Sequence, residues 1–257
     1  MNKIAKAFES KKALVAFITG GDPNIETTEK LIVAMADSGA DIIEIGIPFS
    51  DPVAEGPVIE DADERALAGG CTVDKLFDMV KRVRKRVDIP LLFMTYANPV
   101  FAYGTEKFMA NCADCGIDGV IVPDIPFEER DELSGVCKEY GIAQIYLVAP
   151  TSKERVEMIA AESEGFLYCV SSIGVTGMRD QISTNVAEMV STARQVTNTP
   201  CAVGFGISTP AQARTIAAVS DGVIIGSAIV QLVADFGEDS IAPVSGFIKQ
   251  VRDALDS

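Results

Sequence analysis

One glutamate interrupts an otherwise apolar stretch and is the first candidate for chemistry. The segment Asp41–Pro48, DIIEIGIP, reads as a β-strand, whose alternate side chains point to opposite faces. One face carries three isoleucines, and Glu44 points to the other face, into whatever the sheet encloses. An unpaired ionised carboxylate is costly to bury, so Glu44 is either paired with a core Tyr, Lys or Arg or employed in catalysis. The residues alone leave both interpretations open.

Glycine-rich turns in the second half of the chain are the next candidates. They are Gly174–Gly177, Gly204–Gly206 and Gly226–Ser227, and each follows a strand-like run. Glycine lets backbone N–H groups approach an anion, and a short helix beginning at Ser227 would add the partial positive charge of its N-terminus. These turns predict a phosphate site. A dinucleotide fingerprint is excluded, because Ser208 and Thr209 stand where its third glycine is needed.

The elements that must position these groups alternate regularly along the chain. Apolar, strand-like runs predict eight strands: Ala13–Gly20, Asp41–Pro48, Leu91–Asn98, Gly119–Pro126, Ala143–Pro150, Gly165–Ser172, Pro200–Ile207 and Gly222–Gly226. Segments with helical periodicity predict eight helices: Ile25–Ser38, Val73–Val87, Thr105–Cys115, Glu128–Tyr140, Lys153–Glu162, Thr184–Val196, Pro210–Val219 and Val244–Leu255.

This alternation favours a (β/α)8 TIM barrel, within the α/β class, over an open doubly wound sheet, which the pattern does not exclude. A length of 257 residues suits two small domains or one barrel, and no break favours two, so residues 1–257 are read as a single barrel domain. The segments before the strands look plain, whereas those after them hold the unusual motifs. Barrel enzymes place their sites at the carboxyl ends of the strands, so we expect the activity there.

Composition limits the partners. The formal net charge of −15 and pI near 4.4 argue against nucleic acid and against an anionic membrane surface. Six cysteines, several in apolar runs, suggest a reducing compartment. Cys112 and Cys115 form a CxxC, but without a second pair and without any histidine no metal site is expected.

Targeting signals are also missing from the sequence. The start, MNKIAKAFES, lacks the apolar run of a signal peptide, and no stretch approaches the roughly 20 apolar residues of a membrane span. We therefore expect a soluble, cytoplasmic protein.

The motifs together resemble one family. The stretch EIGIPFSDPVAEGPVIEDADERAL, with FITGGDP, YANPVF, PDIP, GVTG, GFGIS and GSAIV, is similar in order and spacing to the tryptophan synthase alpha subunit over nearly the whole chain. This resemblance implies a (β/α)8 barrel that cleaves indole-3-glycerol phosphate to indole and glyceraldehyde 3-phosphate without a cofactor. It also implies a partner, a pyridoxal-phosphate-dependent beta subunit that receives the indole, in an alpha2beta2 complex.

The resemblance assigns roles residue by residue. Glu44 matches the catalytic glutamate, and Glu55 matches the second catalytic carboxylate, which is aspartate in the family motif. Tyr168 resembles the tyrosine beside the glutamate, and Thr176 and Gly177 match a mobile loop that closes the site. The remaining matches are phosphate ligands (Gly177, Gly206, Gly226 and Ser227), substrate-pocket residues (Phe17, Ile59, Met94, Tyr96, Ile121, Phe205 and Ile224) and residues facing the beta subunit (Pro48, Asp51, Asn98 and Phe101).

The implied reaction suits two carboxyl groups. It must protonate C3 of the indole, remove a proton from the adjacent glycerol hydroxyl and stabilise positive charge near the indole nitrogen. Glu44 in an apolar lumen should have a raised pKa and can donate and accept the proton. An ionised second carboxylate would stabilise the cation. The extra methylene of Glu55 bears on this second role, because a misplacement of about 1 Å can cost on the order of 10²-fold in rate.

Two other functions stay open at this point. The protein could be a non-catalytic allosteric activator of a beta subunit, with its own site weakened at Glu55. It could also be a stand-alone lyase or another phosphate-binding barrel enzyme, such as a sugar-phosphate isomerase.

Overall fold

Parallel strands form a nearly closed barrel in the computed structural model, which describes residues 3–171, 179–204 and 206–257. The strands are β1 (Ala13–Thr19), β2 (Ile42–Gly46), β3 (Leu91–Met94), β4 (Gly119–Ile121), β5 (Ala143–Ile145), β6 (Leu147–Val148), β7 (Leu167–Val170), β8 (Cys201–Gly204) and β9 (Gly222–Ile225). Their order in the sheet is β5-β4-β3-β2-β1-β9-β8-β7-β6, and every neighbouring pair is parallel.

The fifth barrel strand is divided at Tyr146. Its first half, β5, pairs with β4, and its second half, β6, pairs with β7. The two halves therefore occupy one position in the barrel wall and bring the two ends of the sheet together. Counted this way the barrel has eight strand positions, and the predicted (β/α)8 fold is confirmed.

Helices surround the strands. They are α1 (Lys3–Lys6), α2 (Ile25–Asp37), α3 (Pro57–Ala68), α4 (Val73–Val83), α5 (Ala97–Tyr103), α6 (Thr105–Cys115), α7 (Asp131–Tyr140), α8 (Lys153–Ala161), α9 (Arg179–Ala193), α10 (Pro210–Ala217), α11 (Ser227–Phe236) and α12 (Ile241–Leu255). No helix in the described part of the chain is long and apolar enough to cross a membrane.

Helices α3 and α5 lie where the sequence predicted no helix, and α5 takes up the end of the predicted strand Leu91–Asn98. Helix α3 begins at Pro57, because a proline at the first helical position gives up an N–H that has no intrahelical acceptor anyway. Helix α5 carries Pro99 in its first turn, where the same reason holds. The structure also begins α9 at Arg179, five residues before the predicted start at Thr184.

The strand faces follow the predicted alternation. Ile43, Ile45 and Ile47 pack in the cluster between the barrel and its helices, whereas Ile42 packs in the lumen cluster. Glu44 is flanked in the sheet by Phe17 of β1 and Leu92 of β3, both of which belong to the lumen cluster. The barrel therefore encloses this glutamate in an apolar lumen.

The segments before the strands contain contacts that the sequence did not predict, since three of them hold an aspartate that binds both a backbone N–H and an arginine. Asp41, Asp118 and Asp221, hereafter the basal aspartates, each stand immediately before a strand and accept a hydrogen bond from a backbone N–H of the preceding barrel strand. Each one also forms an ion pair with an arginine in the last turn of a helix or just after it. The three arginines are Arg252, Arg84 and Arg194, in the same order.

Replacing Asp118 by alanine should therefore destabilise the barrel. The substitution leaves the N–H of Leu91 and the guanidinium of Arg84 without their shared acceptor, at a cost of about 1–3 kcal/mol in the free energy of unfolding. Urea unfolding measures this cost. Asp88→Ala is the matched control, because Asp88 is fully exposed in its pair with Lys3 and should leave the urea midpoint unchanged. Equal midpoints for the two variants would contradict a stabilising role of the basal aspartates.

Candidate active site

Glu44 lies inside the barrel without a partner. Its side chain is completely buried, and neither carboxylate oxygen has a hydrogen-bond partner among the described residues. Burial raises the pKa of Glu44 to about 8, and the nearby charge of Glu55 adds to this rise. At neutral pH the carboxyl group therefore keeps its proton. A structural role would require a bonded partner, so the geometry favours the functional interpretation of this residue.

Glu55 reaches the same cavity from the loop between β2 and α3. The hydroxyl of Tyr96 donates a hydrogen bond of 3.2 Å to Glu55 Oε1 and accepts one of 3.2 Å from the N–H of Ala54. Burial raises the pKa of Glu55, the bond from Tyr96 opposes that rise, and the charge of Glu60 adds to it. Tyr96 thus favours the ionised form of Glu55, whereas no donor among the described residues does the same for Glu44.

A cavity of about 320 Å³ at the mouth of the barrel holds both carboxyl groups. Most of the predicted site residues that are described line it: Phe17, Glu44, Glu55, Ile59, Met94, Tyr168, Gly206, Ile224, Gly226 and Ser227. Four further residues line the cavity and were not predicted: Gly56, Ile207, Ser208 and Ala228. Each of them lies within or next to a motif from which other site residues were predicted. The motifs at the carboxyl ends of different strands therefore form one site.

Two of the described substrate-pocket positions, Tyr96 and Ile121, do not line this cavity. Tyr96 lies behind Glu55 and is absent from the lining, so its contact with the cavity is indirect. Ile121 is fully buried in the lumen cluster but does not reach the cavity. The predictions for Thr176, Gly177 and Phe205 concern positions outside the described residues.

The aromatic wall of the cavity depends on two glycines. A Cβ atom on Gly46 would lie 2.7 Å from Cζ of Phe17, and one on Gly226 would lie 3.3 Å from Phe17 Cδ1. Any larger residue at Gly46 would therefore force the ring of Phe17 to shift. Gly226, predicted as a phosphate ligand, therefore also makes room for the aromatic wall. The other apolar lining residues are Ile59, Met94, Ile207, Ile224, Ala228 and the buried Tyr168.

The N-terminal end of α11 also borders the cavity. The predicted helix start at Ser227 is confirmed, with Gly226 as the residue before it. Ser227 and Ala228 line the cavity, and the first N–H groups of a helix have no intrahelical acceptor. Gly206 lies nearby with a φ of 74°, a backbone conformation that favours glycine. This end can bind an anion through backbone groups even though the protein is strongly acidic.

The predicted partner-facing residues lie on the loop after β2 and on α5. Asp51, Asn98 and Phe101 are exposed, and Phe101 has 46% of its surface accessible, whereas Pro48 is buried in the isolated chain. Val53 in the same loop is 78% exposed and was not predicted. The role of these residues in binding a partner stays a prediction.

The cysteines and acids of the described chain do not form a metal site. Cys112 and Cys115 are buried in α6, and burial raises the pKa of both thiols. This environment suits small core side chains rather than reactive thiols.

Comparison with known proteins agrees with the geometry. The profile of the family described as "Tryptophan synthase alpha chain" matches residues 4–255. The chain is 48% identical over 257 residues to the tryptophan synthase alpha chain of Lacticaseibacillus casei, covering 100% of this chain and 97% of that protein. It is 45% identical to that of Thermoanaerobacter sp. (strain X514), covering 99% of this chain and 100% of that one. The crystal structure of tryptophan synthase subunit alpha from Legionella pneumophila str. Paris superimposes with a TM-score of 0.91 at 38% identity, covering 100% and 99% of the two chains.

Proposed function

The chain belongs to the tryptophan synthase alpha chain family and is a lyase of tryptophan biosynthesis, and we propose that Glu44 and Glu55 carry out its reaction. In this family the alpha reaction cleaves indole-3-glycerol phosphate to indole and glyceraldehyde 3-phosphate. The substrate is a phosphate ester with an apolar ring, and residues 1–257 act as one catalytic domain. The observation that carries the proposal is the protonated Glu44, which has no hydrogen-bond partner among the described residues, in a cavity that the N-terminus of α11 also lines.

Glu44 acts as the acid and then as the base. Its carboxyl group donates a proton to C3 of the indole ring, and positive charge spreads to the ring nitrogen. The bond from C3 to the glycerol chain then breaks, and its electron pair returns to the ring. The adjacent hydroxyl gives its proton to the Glu44 carboxylate and becomes the aldehyde. A carboxyl group with a pKa of about 8 still holds at neutral pH the proton that the first step needs.

Glu55 stabilises the cation. Its carboxylate faces the cavity that Glu44 faces, and the bond from Tyr96 favours the charged form. The apolar residues around Phe17 hold the indole ring, and the backbone at Gly206, Gly226 and Ser227 holds the phosphate. These carboxyl groups provide acid, base and charge stabilisation, so the proposed mechanism uses no cofactor.

A beta subunit is the proposed partner. The exposed Val53 and Phe101 lie on the loop after β2 and on α5, beside the mouth of the site, which suits a surface that receives the released indole. The proposed assembly is an alpha2beta2 complex in the cytoplasm. A reducing compartment suits the six cysteines, because all of them are free thiols rather than disulfides.

Indole release with and without a beta subunit tests this function. The purified protein should release indole from indole-3-glycerol phosphate slowly alone and faster after addition of the beta subunit. Glu55→Asp should keep the activity, and a large gain in this variant would show that the longer side chain limits the natural enzyme. No indole release under any of these conditions would refute the proposal.

A further inference from the structure

Asp63 is a buried acid close to the site that the mechanism does not use. It lies on α3, one turn and a half after the start of the helix, and only 5% of its surface is exposed. Its Oδ2 lies 3.5 Å from the N–H of Phe49, a long hydrogen bond to the loop that leads from β2 to Glu55. No ion pair of Asp63 is found among the described residues.

Two side chains, those of Asp63 and Tyr96, hold the middle of the loop between β2 and α3. Phe49, held by Asp63 at the N–H, places its ring 5.5 Å from the ring of Tyr96. Tyr96 in turn binds the N–H of Ala54 and the carboxylate of Glu55. Asp63 and Tyr96 therefore hold the two ends of the segment that carries Glu55, and Phe49 contacts both.

We propose that Asp63 is a positioning residue for the alpha reaction, which holds the Phe49 end of this loop so that Glu55 faces the cavity. This inference rests on the proposed function, because it assumes that Glu55 acts on the substrate. Asp63 itself does not line the cavity. Its effect on the reaction therefore passes through the loop.

The surroundings of Asp63 explain why a carboxylate here is unusual. Asp22 faces it from the loop after β1, Glu55 from the loop after β2 and Glu60 from α3, while Tyr96 and Cys71 are the other titratable neighbours. The nearby cations are engaged elsewhere. Arg65 binds Asp22 through two bonds of 2.9 Å, and Lys75 binds the carbonyl of Gly70 at 2.6 Å.

Asp63 therefore changes its charge close to neutrality. Burial raises its pKa to about 7, the N–H of Phe49 opposes the rise, and the charges of Glu55, Asp22 and Glu60 add to it. A hydrogen bond to an ionised carboxylate is stronger than one to a neutral carboxyl group. The hold on Phe49 should thus tighten as the pH rises through about 7.

Kinetics of two variants and one control test the positioning role. Asp63→Ala removes the acceptor, and we expect a fall of about tenfold in kcat with little change in KM, because the phosphate end of the site is untouched. Asp63→Asn keeps an acceptor oxygen and should recover most of kcat. Asp61→Ala changes an exposed acid on the same helix and should leave both constants unchanged. An unchanged kcat in Asp63→Ala, or no recovery in Asp63→Asn, would overturn the proposal.

A titration of the Phe49 amide tests the contact without any activity. In the NMR spectrum of the natural protein the Phe49 N–H signal should shift with a midpoint near pH 7, and in Asp63→Asn this shift should disappear. The same titration in both proteins would refute the contact. If the natural protein releases no indole while this titration follows the expectation, the proposed function has failed and the attachment of the loop has not.

Discussion

Glu44→Gln is expected to abolish most of the indole release, with a fall on the order of 10²–10⁴-fold in kcat. Glutamine fills the same space in the lumen but can neither donate nor accept the proton that the reaction moves. The phosphate end of the cavity lies on other elements, so the variant should bind glycerol 3-phosphate as the natural protein does. Steady-state assays give the rate, and titration calorimetry gives the affinity.

Glu64→Gln is the matched control for this experiment. Glu64 is an exposed glutamate on α3 and does not line the cavity, so its replacement should leave the rate unchanged. If Glu44→Gln retains the rate, the proton is transferred by another group. If it loses both rate and affinity, the substitution has disturbed the cavity as a whole.

The same variant should change how stability depends on pH. The pKa of Glu44 rises from an ordinary value of 4.5 to about 8 in the folded protein. Between these values the folded protein holds a proton that the unfolded chain releases, so raising the pH favours unfolding. The contribution of Glu44 is complete below about pH 4.5 and is lost as the pH rises through about 8. Its slope is about 1.4 kcal/mol for each pH unit within this window.

Urea unfolding between pH 5 and pH 8 measures this effect. The natural protein should lose stability with rising pH relative to Glu44→Gln, which cannot ionise, and the two should be similar near pH 5. Asp63 has a raised pKa as well, but it is present in both proteins and cancels in the comparison. Parallel stability curves would contradict the raised pKa of Glu44.

The sequence predicts much of this site for a simple reason. The period of two in a strand placed Glu44 inside the barrel and its isoleucine neighbours outside, and the structure confirms both. Glycine followed by a helix start predicted the N-terminus of α11 at Ser227, which is also found. In each case the signal lies within one element, so local rules suffice.

The contacts between elements could not be predicted in this way. Tyr96 was assigned to the substrate pocket, but it binds Glu55, 41 positions away in the chain. Asp63 looked like one of many acids on α3, and only its contact with Phe49 distinguishes it. The basal aspartates were missed because an aspartate before a strand is common, and the bonded N–H of each belongs to the previous strand.

The division of the fifth strand has a consequence for the order in which the barrel opens. The half that pairs with β7 has only two residues, and no basal aspartate precedes either this half or β7. Segments with fewer hydrogen bonds to their neighbours open at a lower free energy than the rest of a protein. Opening is therefore expected to begin near Tyr146, on the other side of the barrel from β1 and β2. The strand that carries Glu44 would keep its hydrogen bonds to β1 and β3 until late in unfolding, although the lumen that its carboxyl group faces would already be open to water.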